Sequence, residues 1–269
     1  MLKPRYLPIP DHLSILAATI LLAYSLARLI ELPGREYAVQ LPGIYLNFRV
    51  DIETFTALLV AALTATGADW LFREHPAIGE RATFEHLIVP ALSAWVIGHP
   101  LFDLPLNFLW WLGFFLGGAL LVLVLVAEYI TIDPEDIRQP VAASGLIAVS
   151  FALYLALLLA LKFEDLRLFQ VVPPIFLGAF LVSLRTFNLR LNRWAVAEAA
   201  LIGLLVSQMA AALHYWPLPP ISFGLVILAP TYALTRLITD FADGEPIRQA
   251  LIEPVLVILV VWGIAIWLR

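Results

Sequence analysis

Nine times along this chain a run of about twenty mostly apolar residues recurs, the length an α-helix needs to cross the hydrocarbon of a bilayer. The approximate limits are 11–31, 52–71, 84–102, 108–130, 141–162, 171–187, 194–214, 218–238 and 249–268. Hydrocarbon offers no partner to a free amide, so such runs must be helices. Composition agrees: 62% of the 269 residues are hydrophobic and 14% charged, with a mean hydropathy of +0.91, more apolar surface than a soluble domain of this size can cover. The expectation is an all-α polytopic integral membrane protein, one transmembrane domain over 1–269 with a bundle of about nine helices. The count becomes eight if the sixth run, short and opened by Pro173 and Pro174, is re-entrant. The first run follows MLKPRYLPIPDH and carries no small-residue cleavage pattern, which predicts a retained helix in place of a signal peptide.

Loop charge orients such a chain. With nine spans, Lys3, Arg5, Arg73, Arg81, Arg138, Arg185, Arg190, Arg193, Arg236 and Arg248 fall on the N-terminal side, against six basic residues opposite. This predicts a cell-membrane protein with a cytoplasmic N-terminus and an extracytoplasmic C-terminus, placing residue 78 inside and residue 43 outside. Between the first two runs, EYAVQLPGIYLNFRVD alternates polar and apolar residues about a Pro-Gly turn. That pattern predicts a small external β-hairpin over 36–50, a structureless loop being the alternative. Gly113 and Gly117 in GFFLG form a small-xxx-small pattern, read as internal helix packing.

The stretch 69–103, DWLFREHPAIGERATFEHLIVPALSAWVIGHPLFD, crowds ionisable groups against apolar sequence at two membrane boundaries and holds three of the five histidines. Asp69 and Arg73 share a helix face in the favourable order. A short loop makes the second and third helices antiparallel neighbours, which brings this pair beside Glu85 and His86. Pro90 lacks the amide that the His86 carbonyl would accept, so a kink is expected, with a freed carbonyl suited to a cation, a proton relay or a polar headgroup. Glu198, in AVAEAALIG, requires a partner, with Arg185, Arg236 or His86 on the correct side. The candidate polar pocket is therefore Asp69, Arg73, Glu85, His86 and Glu198. The competing reading of each is an interfacial side chain or a static salt bridge.

His99, Asp103 and His214 end their helices near the hairpin, but no metal-ligand spacing joins them, and no metal or other cofactor is expected. Zero cysteines exclude disulfides and thiolate chemistry. No phosphate loop, nucleophile elbow or HExxH is present, and nothing implies nucleic acid. The lipid bilayer is the one certain partner, with a homo-oligomer or partner subunit left open. Three classes remain: transport of a small solute or ion, a membrane-embedded enzyme acting on a lipid or lipid-linked substrate at the cytoplasmic face, and an accessory subunit. Transport is the positive expectation.

Overall fold

The computed structural model describes residues 6–29, 35–41, 44–50, 52–79, 83–164 and 166–268. Among them run α1 (Pro10–Leu29), β1 (Arg35–Leu41), β2 (Ile44–Val50), α2 (Ile52–Arg73), α3 (Phe84–Asp103), α4 (Phe108–Thr131), α5 (Gln139–Phe163), α6 (Leu168–Leu191), α7 (Val196–Leu213), α8 (Pro220–Ala242), the single turn α9 (Ile247–Ala250) and α10 (Ile252–Trp267). Among the described residues seven stretches are long and apolar enough to cross a membrane, and shorter apolar stretches occupy Pro10–Leu26 and Phe84–Gly98. This is a helical, multi-pass membrane architecture. β1 pairs antiparallel with β2, from Arg35 opposite Val50 to Leu41 opposite Ile44, and the Pro42-Gly43 turn lies outside the described residues.

The sixth helix corrects the sequence reading. It begins at Leu168 and runs 24 residues, so Pro173 and Pro174 lie inside it and do not open it. Polar residues such as Gln170 and Arg190 narrowed the apolar run to 171–187, yet both ends are helical. Asn192, with φ of 50°, takes the left-handed conformation that ends the helix. At the start of α4, Asn107 Oδ1 accepts from the amides of Leu109 and Trp110 at 2.9 and 3.3 Å, satisfying donors that have no intrahelical partner. Both α3 and α8 continue through their internal prolines, Pro90 and Pro230.

The chain divides into two compact units, Met1–Ala142 and Ala143–Arg269. In the first, α2 lies along α3, α3 along α4, and α1 against α2 and α4. Its core joins Ile20 and Tyr24 of α1, Leu71 and Phe72 of α2, Ala94 and Leu101 of α3, and Leu121 and Leu125 of α4. The Tyr24 hydroxyl donates to the Ala94 carbonyl, and Trp110 Nε1 donates to that of Leu101 at 2.9 Å. Gly113 and Gly117 both face α3: a Cβ on Gly117 would stand 2.6 Å from Ile97, and one on Gly113 3.6 Å from Leu101. The small-residue pair is thus internal packing, as its sequence predicts.

In the second unit α6 lies along α7, α8 contacts α6 and α7, and α10 packs on α8. Tyr154 and Leu157 of α5 rest on Gly178 of α6, and Leu155 and Leu159 on Gly224 of α8. At one end Lys162 Nζ donates to the His214 carbonyl at 2.9 Å and lies 5.3 Å from the Phe223 ring centroid.

Candidate functional site

Four helix ends meet at one edge of the first unit: the start of α1, the end of α2, the start of α3 and the end of α4. Arg73 Nε donates to Asp69 Oδ2 at 2.8 Å, the i,i+4 pair that its spacing predicts. The second oxygen of Asp69 accepts from the Thr83 hydroxyl, and the Thr83 carbonyl accepts the His86 amide at 2.9 Å. The carboxylate at the end of α2 therefore grips the residue that opens α3. Arg73 is 67% exposed, so its ion pair contributes little stability.

His86 sits beneath this rim, and its two ring nitrogens face two carboxylates. Nδ1 lies 3.0 Å from Glu128 Oε2, and Nε2 lies 3.5 Å from Glu85 Oε1. Glu128 is fully buried whereas the Glu85 side chain is 32% exposed. An ionised carboxylate only accepts, so Nδ1 carries a hydrogen toward Glu128, and the Nε2 contact with Glu85 is a hydrogen bond only when Nε2 carries one as well. Thr131 donates to the Glu128 carbonyl at 2.8 Å and has its hydroxyl 3.4 Å from Glu128 Oε2. Phe72 closes one side, its ring 6.0 Å from the imidazole at a steep angle. A proton arriving at Nε2 makes an imidazolium held between an outer and an inner carboxylate.

The remaining histidines of this edge are also structural neighbours of acids or aromatic rings. His12 Nδ1 lies 2.8 Å from the Glu74 carboxylate, and its ring lies on Trp70 at 4.7 Å. His75 is buried between Tyr6 and Tyr129, with ring centroids at 5.5 and 4.6 Å. Its Nδ1 accepts the Ala77 amide at 3.0 Å, which marks the neutral ring. Burial pushes its pKa below the ordinary histidine value; the charge of nearby His86 adds to this, and Asp133 and Asp136 oppose it.

Of the sequence-predicted residues, Asp69, Arg73, Glu85 and His86 lie at this edge, linked through Thr83. Glu198 belongs to the second unit. Its partner is none of those its sequence suggested but Arg193, in the loop before α7, at 2.9 Å. Arg236 is committed to Asp240 at 3.2 Å and to Glu253 at 3.0 Å, and Tyr232 donates to Glu253 at 2.8 Å. The side chains of His99 and Asp103 lie outside the described residues. Among the described residues no three His, Cys, Asp or Glu side chains group to hold a metal.

Two features escaped the sequence. Glu128 lies near the end of α4, and only packing selects it as the partner of His86, 42 residues away. The second is a hydroxyl seam in the second unit, for which the signal was present as threonines at i, i+4 spacing. Thr231, Thr235 and Thr239 are buried, each donating to the carbonyl four residues back at 2.7–2.8 Å. Because the hydrogen of Thr235 is used there, Ser183 donates to Thr235 at 2.9 Å, tying α6 to α8. Beside the seam Arg185 is 1% exposed, with Nη1 donating to Asn188 at 2.5 Å. A gap of about 10 Å³, room for roughly one water, opens there among Thr186, Arg190, Tyr232, Thr235, Arg236 and Thr239.

No curated protein and no solved structure matches this chain. A family profile does match, over residues 32–268, and so takes in β1, β2 and every helix after α1. The chain belongs to the family described as protein of unknown function (DUF5656).

Proposed function

We propose that the protein transports a small solute or ion across the membrane in exchange for, or together with, protons, and that His86 relays the proton between Glu85 and Glu128. The observation that carries this reading is the imidazole bridging a partly exposed carboxylate and a fully buried one through its two ring nitrogens. Ionisable groups within membrane helices mark proton and ion paths more often than they serve stability. Imidazole suits the task because one nitrogen accepts as the other releases, in the pH range where cells work. Ser93, seven residues beyond His86 on the same α3 face and about 10 Å deeper, and Thr64 of α2 are buried hydroxyls, each donating to the carbonyl four residues back in its own helix at 2.7 Å. Chemistry on a lipid headgroup would need open space beside the base. His86, 6% exposed, leaves room for a proton but not for a headgroup.

The test is substrate-dependent proton movement in vesicles holding purified protein and a pH-sensitive dye, surveyed over a panel of small metabolites and inorganic ions. At least one solute should acidify or alkalise wild-type vesicles, and Glu128→Gln should reduce the response to the leak of protein-free vesicles while the protein stays folded. An unchanged response in Glu128→Gln would rule out the relay, and wild-type vesicles silent to the whole panel would rule out proton-linked transport.

The same reading uses nine crossings with the His86 edge in the cytoplasm. Ala77 and Tyr215 are both exposed positions, at loops that nine crossings place on opposite sides. In this cysteine-free chain, Ala77→Cys should react with an impermeant maleimide only after the membrane is opened, and Tyr215→Cys in intact cells. The reverse pattern would invert the orientation; labelling of both from one side would refute the crossing number.

A further inference from the structure

Just past the end of α2 the chain reads His75-Pro76-Ala77-Ile78-Gly79. A proline suits the second position of a tight turn and a glycine its exit. The backbone does turn there: the Ile78 amide donates to the His75 carbonyl at 3.0 Å, and Gly79 takes a φ of 53°. Pro76 has no amide to offer, and that of Ala77 donates to His75 Nδ1 at 3.0 Å. The imidazole thus closes over its own turn, as an asparagine side chain does in an Asx-turn. Ile78, the last residue of the turn, is seated in the core of the first unit with Leu71, Phe72 and Tyr129.

An amide donor needs a lone pair, and imidazole keeps one only while it is neutral. Protonation puts a hydrogen on Nδ1 against the Ala77 hydrogen and a charge on a ring that is 3% exposed. Both changes oppose the closed turn. Among the described residues the titratable and charged groups facing the ring are Tyr6 before α1, Tyr129 of α4, His86 of α3, and Asp133 and Asp136 of the α4–α5 loop. The phenols stay neutral in acid, and a charged His86 adds to the repulsion. The two aspartates favour the charged ring, but Asp136 is held by Arg138 at 2.6 Å, and burial outweighs them. Glu74, the preceding residue, is taken by His12 at 2.8 Å.

We propose that His75 is an acid-sensitive latch on the connection between α2 and α3: neutral, it holds the turn closed on the core, and protonated, it releases the Ala77 amide so that the turn opens and Ile78 leaves the core. The direction follows from linkage. A histidine buried neutral contributes stability that is complete above its ordinary pKa of 6.5 and is lost as pH falls through its lower folded-state value. The latch therefore opens in acid and stays shut at neutral pH. It is a device separate from the His86 relay and does not rest on it.

Purified full chain in detergent tests the latch, because the absence of cysteine lets a single thiol report on one position. Ile78→Cys places that thiol at the buried residue of the turn and Ala77→Cys at the exposed one. The ratio of their alkylation rates removes the effect of pH on the thiol itself. From about pH 7.5 to about pH 5 the ratio should rise by a factor of roughly five or more, the scale of one lost hydrogen bond. With His75→Asn, whose Oδ1 still accepts the Ala77 amide but does not titrate, the ratio should stay low at both pH values. With His75→Ala it should be high at both. A flat ratio in the chain that keeps His75, the same rise in His75→Asn, or a low ratio in His75→Ala overturns the proposal. Should Ile78→Cys fold poorly, hydrogen exchange of the Ala77 and Ile78 amides in the unsubstituted chain, corrected for the intrinsic rate at each pH, reads the same opening: protection lost in acid supports the latch, and protection kept overturns it.

Discussion

Glu128→Ala should lower the apparent unfolding temperature in detergent by roughly 5 °C, the consequence of leaving the buried imidazole donor without its acceptor at about 1–3 kcal/mol. Its carboxylate is fully buried and faces His86 at 3.0 Å and Thr131. Deleting it takes the carboxylate away from the imidazole Nδ1 and leaves a void beside Thr131. Glu128→Gln keeps the volume and an accepting oxygen, so its loss should be less than half as large. The informative variant is the double replacement His86→Leu with Glu128→Leu. Removing both partners with apolar groups of similar size is often neutral, so the double variant should be more stable than either single one, yet inactive in proton movement. If Glu128→Ala unfolds at the wild-type temperature, or the double variant is simply the sum of the singles, the two groups are not coupled as the geometry requires.

Gly178→Val should be the most damaging single addition of atoms in the second unit. A Cβ at Gly178 would stand 2.7 and 2.8 Å from ring carbons of Tyr154 and 3.1 Å from Leu157. Tyr154 is fully buried, and its hydroxyl donates to the Ile175 carbonyl at 3.3 Å, one turn from the glycine. The ring can therefore neither swing away nor shift without giving up that bond, and α5 must lift from α6. Overpacking of this kind costs about 1–3 kcal/mol, and the stiff branched side chain puts it at the upper end. Gly178→Ala should fall between, and Tyr154→Leu should rescue it in part by vacating the ring positions. Wild-type thermal stability in Gly178→Val would show that α5 does not rest on this surface.

Helix existence was legible because the bilayer imposes it: an apolar run of about twenty residues has one way to satisfy its backbone. Run boundaries were less so. Hydropathy sees the end of apolar sequence and not the end of hydrogen bonding, which is why α6 extends from 171–187 to Leu168–Leu191 and takes its prolines inside. Asp69 with Arg73 was legible for a local reason, four residues being one helical turn. The i, i+4 threonines of α8 held the same kind of signal.

By itself, then, the sequence determined a helical multi-pass membrane protein, the internal role of Gly113 and Gly117, and the convergence of the α2 and α3 ends, each through a constraint acting within a helix or across a short loop. Only the tertiary structure decided partners. Glu128 joins His86 because α3 and α4 pack side by side, Glu198 takes Arg193 because a loop arginine reaches it before any distant one, and Ser183 meets Thr235 where α6 crosses α8. The physical reason is common to all three. Periodicity fixes which residues share a face of one helix, but which faces meet depends on the packing of whole surfaces, and that sum is written nowhere along the chain.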